Sequence, residues 1–218
     1  MSGSTKRMVL VAGNIGSGKT SLTERLGQRL GWKTAYESVE DNPYLGDFYA
    51  DMRAWAFHLQ IFFLGHRAHM HLALARDPRS AIVDRSIYED AEIFARASLE
   101  LGNVTRRDYD SYRTVYQLVI DALPAPDLLL FLKAPVSVLM RRIRERARDI
   151  EKGITPEYLS LLDRYYEDWL GRFAHLRPTA IFTHVARALC GPGPAAPTRP
   201  STRSAASAAS TPASHTTG

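Results

Sequence analysis

The chain has 218 residues and a hydrophobic content of 45%, enough for one well-buried domain and too little for two. Its net charge is +5, but Arg199 and Arg203 of an acid-free tail supply two of those charges, leaving a mildly basic body rather than a surface that coats nucleic acid. Cys190 is the only cysteine, which excludes an intrachain disulfide and a thiolate zinc cluster. No apolar run approaches the roughly 18 residues of a membrane span, so a cytoplasmic protein without membrane or nucleic-acid partners is expected.

In chain order, residues 8–12 form an apolar, β-branched-rich run of strand length. Directly after it, Gly13-Asn14-Ile15-Gly16-Ser17-Gly18-Lys19-Thr20 fits the phosphate-loop pattern G-x-x-x-x-G-K-[ST] at every fixed position. Leu22, Leu26 and Leu30 then recur at helical spacing. Strand, glycine loop and helix in that order turn a short motif into a specific one. The glycines permit backbone conformations that aim N–H groups at phosphate oxygens, and the helix N-terminus adds partial positive charge. Lys19 then serves the β- and γ-phosphates, and the Thr20 hydroxyl serves Mg²⁺, which makes ATP with Mg²⁺ the expected cofactor pair.

Gly31 predicts the end of the first helix, and residues 34–37 read as a second strand that carries Glu37 to the ligand-binding edge of an open α/β sheet. A short helix with Tyr49 follows, then a long helix over 52–76 that Asp77-Pro78 terminates. Residues 81–83 form a third strand delivering Asp84-Arg85-Ser86. Helices are predicted over 87–100 and, capped by Thr105, to about 121. Residues 127–132 form the fourth and most hydrophobic strand, and a basic helix with Arg141, Arg142, Arg144, Arg146 and Arg148 comes next. A last long helix runs from 155 to about 175, and 179–184 suits a fifth strand. Alternating strands and helices, with each strand a continuous apolar run, predict a parallel α/β sheet of four to five strands covered on both faces. From 191 to 218 only Pro, Ala, Ser, Thr and Gly dominate. A single domain over 1–190 with a disordered tail is therefore expected.

Beyond the loop, Asp41-Asn42-Pro43-Tyr44-Leu45, the stretch 51–60, Asp84-Arg85-Ser86-Ile87-Tyr88-Glu89-Asp90 and the Arg-rich run through 146–154 together resemble the deoxyribonucleoside kinase family over residues 8 to about 175. The resemblance implies transfer of the γ-phosphate of ATP to the 5′-hydroxyl of a deoxynucleoside. It also implies a preference for purine deoxynucleosides, with deoxycytidine next, and a homodimer for which the helices at 52–76 and 105–121 are the candidate contacts. It implies Glu37 as general base, Arg85 beside the reacting groups and Asp84 on Mg²⁺. Arg142, Arg146 and Arg148 match lid arginines over the phosphates, while Arg141 and Arg144 read as solvated. Tyr49 and Glu151 match the pair on the 3′-hydroxyl, Gln60 the amide on the base edge, and Phe94 the ring stacked on the base with Trp55 nearby. Arg67 and Asp90 match an ion pair that accompanies purine or cytosine recognition.

His66 and His69 stand one helical turn apart, but no third ligand and no cysteine accompanies them, so zinc is not expected. A nucleoside monophosphate kinase would also carry a phosphate loop and an Arg lid, but it needs a cation for the acceptor's phosphate where Glu37 stands. An inactive nucleotide-binding partner is opposed by intact Lys19, Glu37, Asp84 and Arg85. After 184 the resemblance lapses, and no residue is assigned to the adenine.

Overall fold

The computed structural model describes residues 5–36, 42–148, 151, 153–173 and 179–183. Five strands, β1 (Met8–Gly13), β2 (Lys33–Ala35), β3 (Ala81–Asp84), β4 (Leu128–Lys133) and β5 (Thr179–Thr183), form one sheet in the order β2-β3-β1-β4-β5. Every neighbouring pair is parallel. Around it lie α1 (Lys19–Leu30), α2 (Leu45–Ala50), α3 (Met52–Arg76), α4 (Ile87–Glu89), α5 (Arg96–Glu100), α6 (Arg106–Ala122), α7 (Val136–Arg146) and α8 (Pro156–Phe173).

The strands read as unbroken apolar runs because both faces of the sheet are covered. Leu10, Ala12, Leu129 and Phe131 pack against Leu162, Tyr166 and Trp169 of α8. Val9, Val11, Leu130 and Leu132 alternate to the other face, against Leu22 and Leu26 of α1. Helix ends follow local chemistry. Asp51 caps α3 by accepting from the Arg53 and Ala54 amides, Thr105 caps α6 by accepting from the Asp108 amide, and Gly31 closes α1 in the left-handed region at φ 67°.

One element departs from the expected pattern. Residues 87–100 are not a single α-helix: between α4 and α5, Asp90–Ala95 forms a π-helical turn. Apolar spacing does not announce such a turn, which is common at functional sites. Here Asp90 turns inward to Arg67, while Glu92 meets Arg113 and Arg172 on the outer side. The tail from 191 onward lies outside the described residues. No described helix is long and apolar enough to cross a membrane.

Candidate active site

The phosphate loop joins β1 to α1 at the carboxyl edge of the sheet. Gly13 sits at φ 149°, and a Cβ there would lie 2.7 Å from both the Leu132 carbonyl oxygen and Ser17 Oγ, so only glycine fits. Lys19 is buried, and its ammonium donates to the carbonyls of Gly13 at 2.8 Å and Asn14 at 3.1 Å. Ser17 Oγ is buried without a hydrogen-bond partner. A buried hydroxyl and an ammonium in one glycine loop suit phosphate oxygens, which satisfy both. Gly16 and Gly18 adopt left-handed φ values, and Ile15 lines the cleft while packing on α7 and α8.

The Asn14 side chain serves the fold. Its Nδ2 donates to the Leu159 carbonyl at 2.9 Å and to Asp163, and its Oδ1 accepts from the Ile15 amide, so only its backbone remains for phosphate. Burial pushes the Asp163 carboxyl up, with the Asn14 hydrogen bond opposing.

Beside the loop, β3 delivers Asp84, whose Oδ2 accepts from Thr20 Oγ1 at 2.6 Å. This hydroxyl–carboxylate pair is an all-oxygen donor set of the kind Mg²⁺ takes. Arg85 follows at φ 65°, a left-handed conformation costing a non-glycine residue about 1–2 kcal/mol, and its amide donates to the Val11 carbonyl at 3.0 Å. Its guanidinium lies 4.3 Å from the centroid of the Phe94 ring.

The three expected lid arginines divide. Arg146 and Arg148 line the cleft, and Arg146 is paired with Glu151. Arg142 instead donates to the carbonyls of Gly16 and Ser17 at 3.3 Å, bracing the loop from the α7 side. Arg141 makes a loose helix-surface pair with Glu145, as a solvated position would. Glu151, expected at a sugar hydroxyl, is buried and engaged by Arg146.

The cleft has a volume of about 1710 Å³, and Tyr49, Gln60, Asp90 and Phe94 are among the residues that line it. Gln60 is only 7% exposed, and its Oε1 has no hydrogen-bond partner. Behind it, Arg67 pairs with Asp90 at side-chain exposures of 1% and 5%, and Arg67 Nη1 donates to the Arg85 carbonyl at 3.2 Å. Trp55 departs from its expected place: it packs on Tyr44 and His58 on the outer side of α3 and is not part of the cleft lining. The histidines serve packing, with His66 stacked on Phe62 and His71 bonded to the Pro124 carbonyl at 2.7 Å.

Sequence reasoning missed Phe63 and Tyr158, which also line the cleft. Burial pushes the Tyr158 phenol up to about 12, with the charge of Arg85 opposing. Nothing in the helical spacing of 155–175 separates Tyr158 from a core tyrosine. Glu37, the expected base, lies outside the described residues, although Tyr36 immediately before it lines the cleft.

Fold and site together define a phosphotransferase that uses a nucleoside triphosphate. The family model for deoxynucleoside kinase matches residues 9–189, and the chain belongs to that family. The match continues beyond the stretch on which the sequence resemblance rests, through β5. The chain is 36% identical over 168 residues to a deoxyadenosine/deoxycytidine kinase of Bacillus subtilis (strain 168), covering 76% of this chain and 77% of that one. It is 37% identical over 179 residues to a deoxyguanosine kinase of Lactobacillus acidophilus, covering 76% of each. Among solved structures, deoxyadenosine kinase from M. mycoides with bound dATP superposes with a TM-score of 0.72 at 29% identity, covering 81% of this chain and 90% of that one.

Proposed function

We propose that this deoxynucleoside kinase transfers the γ-phosphate of ATP, or another nucleoside triphosphate, to the 5′-hydroxyl of deoxyadenosine or deoxyguanosine in preference to pyrimidines. The observation that carries the purine preference is the buried Arg67–Asp90 pair beside the unpartnered Gln60 oxygen. An amide with a charged pair offers donors and acceptors to a purine edge, or to cytosine, but meets the thymine methyl with polarity. The relatives named for deoxyadenosine and deoxyguanosine support this reading.

In this mechanism Glu37 accepts the 5′-hydroxyl proton as the new O–P bond forms, and the bond from the γ-phosphorus to the β-bridging oxygen breaks to release the diphosphate. β2 pairs Ala35 with Val83, and Tyr36, which lines the cleft, directly precedes Glu37 in the sequence; this supports the role. Lys19 leaves the Gly13 and Asn14 carbonyls for the β- and γ-phosphate oxygens, joined by Ser17 and the loop amides. Thr20 and Asp84 would hold Mg²⁺, which would neutralise charge on the phosphate oxygens. Arg85, Arg146 and Arg148 stabilise the charge spread over the transferring group. Phe94 stacks on the base, Gln60 pairs with its edge, and Tyr49 and Glu151 hold the 3′-hydroxyl, Glu151 exchanging its bond to Arg146 for the sugar.

The kinase domain comprises residues 1–190, with 191–218 as a tail. Val115 and Leu118 of α6 and Ile61 of α3 are exposed apolar side chains, Leu118 at 68%, and they favour a homodimer through these helices. The single cysteine favours a reducing, cytoplasmic setting. The test incubates the protein with Mg-ATP and each deoxynucleoside or its monophosphate. Deoxynucleoside 5′-monophosphate is the expected product, fastest from purines. Phosphorylation of monophosphates alone, or of thymidine as efficiently as purines, would overturn the reading.

A further inference from the structure

Glu89, the last residue of α4, is fully buried at 0% exposure. Its partners are all neutral donors. Oε1 accepts from the Gly13 amide at 3.3 Å and the Tyr166 hydroxyl at 2.8 Å, and Oε2 accepts from the Ser86 amide at 2.9 Å and the Ser86 hydroxyl at 3.4 Å. A buried carboxylate is costly, and hydrogen bonds to an ionised acceptor are among the stronger ones. Two donors come from Ser86 in a capping box three residues back and two from Gly13 and Tyr166 far along the chain, and together they give it a place where an apolar residue would leave buried amides unsatisfied.

What those donors belong to is the informative part. Gly13 begins the phosphate loop, and its carbonyl accepts from both Lys19 at 2.8 Å and the Tyr166 hydroxyl at 2.9 Å. Ser86 directly follows Arg85, whose left-handed backbone is strained and persists only where its surroundings over-determine it. One carboxylate therefore ties the start of the loop that carries Lys19 to the turn that carries Arg85, and Tyr166 joins both to α8.

We propose that Glu89, with Tyr166, is a positioning residue for phosphoryl transfer, fixing the Gly13 peptide and the Arg85–Ser86 turn as one frame from which Lys19 and Arg85 meet the transferring group. This rests on the roles assigned above to Lys19 and Arg85. Tyr166 has a second part in it. The Tyr166 hydroxyl lies within reach of both Glu89 Oε1 at 2.8 Å and the Gly13 carbonyl at 2.9 Å and has one proton to share between them. When a bound triphosphate draws Lys19 away, that proton can turn to the Gly13 oxygen while the Gly13 amide and Ser86 still serve the carboxylate. Lys19 thus leaves without orphaning a buried acceptor, and the loop holds its shape.

Two variants test the frame. Glu89→Gln keeps the length of the side chain but turns an NH₂ group toward donors. Its kcat is expected to fall roughly 10- to 100-fold, the scale on which small misplacements act, while the KM for the deoxynucleoside stays within about twofold. Tyr166→Phe removes one donor and leaves the carboxylate with the other three. A rise of several-fold in the KM for Mg-ATP is expected, with a smaller loss in kcat. Because both act on one frame, the double variant should fall little below Glu89→Gln alone. Lowered melting temperature with kcat and both KM values within twofold of the parent, in either folded variant, would make these contacts structural only and overturn the proposal. If Glu89→Gln does not fold, Tyr166→Phe decides by the same criterion. A parent protein that phosphorylates no deoxynucleoside would instead remove the functional reading itself, whereas an active parent with unaffected variants removes only the frame.

Discussion

Replacing Asp90 by Ala probes the base-recognition end of the cleft most directly. Arg67 is 1% exposed, so the substitution leaves a guanidinium buried without its carboxylate, a loss typically worth about 3–5 kcal/mol. The bond from Arg67 to the Arg85 carbonyl survives and favours the lower end of that range. For a domain of this size 1 kcal/mol corresponds to about 2–4 °C, so a fall in Tm on the order of 10 °C is expected by calorimetry. Converting both partners, Arg67→Met with Asp90→Ala, removes the stranded charge. Buried pairs replaced by apolar residues are often neutral in stability, so the double variant should regain more than half of the lost Tm. The same two proteins report on base choice. The parent should favour deoxyadenosine over thymidine in kcat/KM by roughly 10² or more, and the double variant should narrow that ratio by admitting the thymine methyl. If Asp90→Ala and the double variant melt together, the buried charge does not dominate. If the ratio is unchanged in the double variant, the pair does not select the base.

Glu37→Gln should lower kcat by roughly 10² or more and leave the Mg-ATP dissociation constant, measured by calorimetry, within about twofold; near-parent turnover would exclude Glu37 as the base. Burial holds the His71 imidazole below its usual value, with the bond to the Pro124 carbonyl opposing. The unfolded chain therefore takes up a proton near pH 6.5 that the folded protein refuses, and stability falls as pH drops through about 6.5 toward the lower folded value. His71→Gln should shrink the difference in Tm between about pH 7.5 and about pH 5.5, and an unchanged difference would clear His71 of that role. Deleting 191–218 should move Tm by no more than a degree or two, because a Pro/Ala/Ser/Thr-rich segment has little apolar surface to bury; a larger fall would show that the tail docks.

Local chemistry made much of the protein legible in the sequence. The phosphate loop is a run of eight consecutive residues, and its glycine backbone and flanking strand and helix follow from that run alone. The cap at Asp51, the stop at Asp77-Pro78, the cap at Thr105 and the left-handed Gly31 are likewise decisions taken within four residues. Resemblance added the Arg67–Asp90 pairing, which the structure contains.

Contacts between distant segments were decided only by the tertiary structure. Strand order depends on which helices cover which face, and no strand carries its neighbour's identity. Asn14 lies inside the phosphate motif, but its side chain is claimed by Leu159 and Asp163, about 145 residues away, and so is lost to the phosphate. Trp55 shares a helix with Gln60, yet its ring packs on Tyr44 and His58 while the amide is buried at the cleft. The π-helical turn at 90–95 changes helical phase without a change in composition. Glu89 is the sharpest case. Its contact with Ser86 is a local capping box, but the Gly13 amide and the Tyr166 hydroxyl that complete its burial reach it only when β1 and α8 are packed against the turn after β3. Burial of charge depends on partners, and those partners are set by tertiary packing rather than by neighbours in the chain.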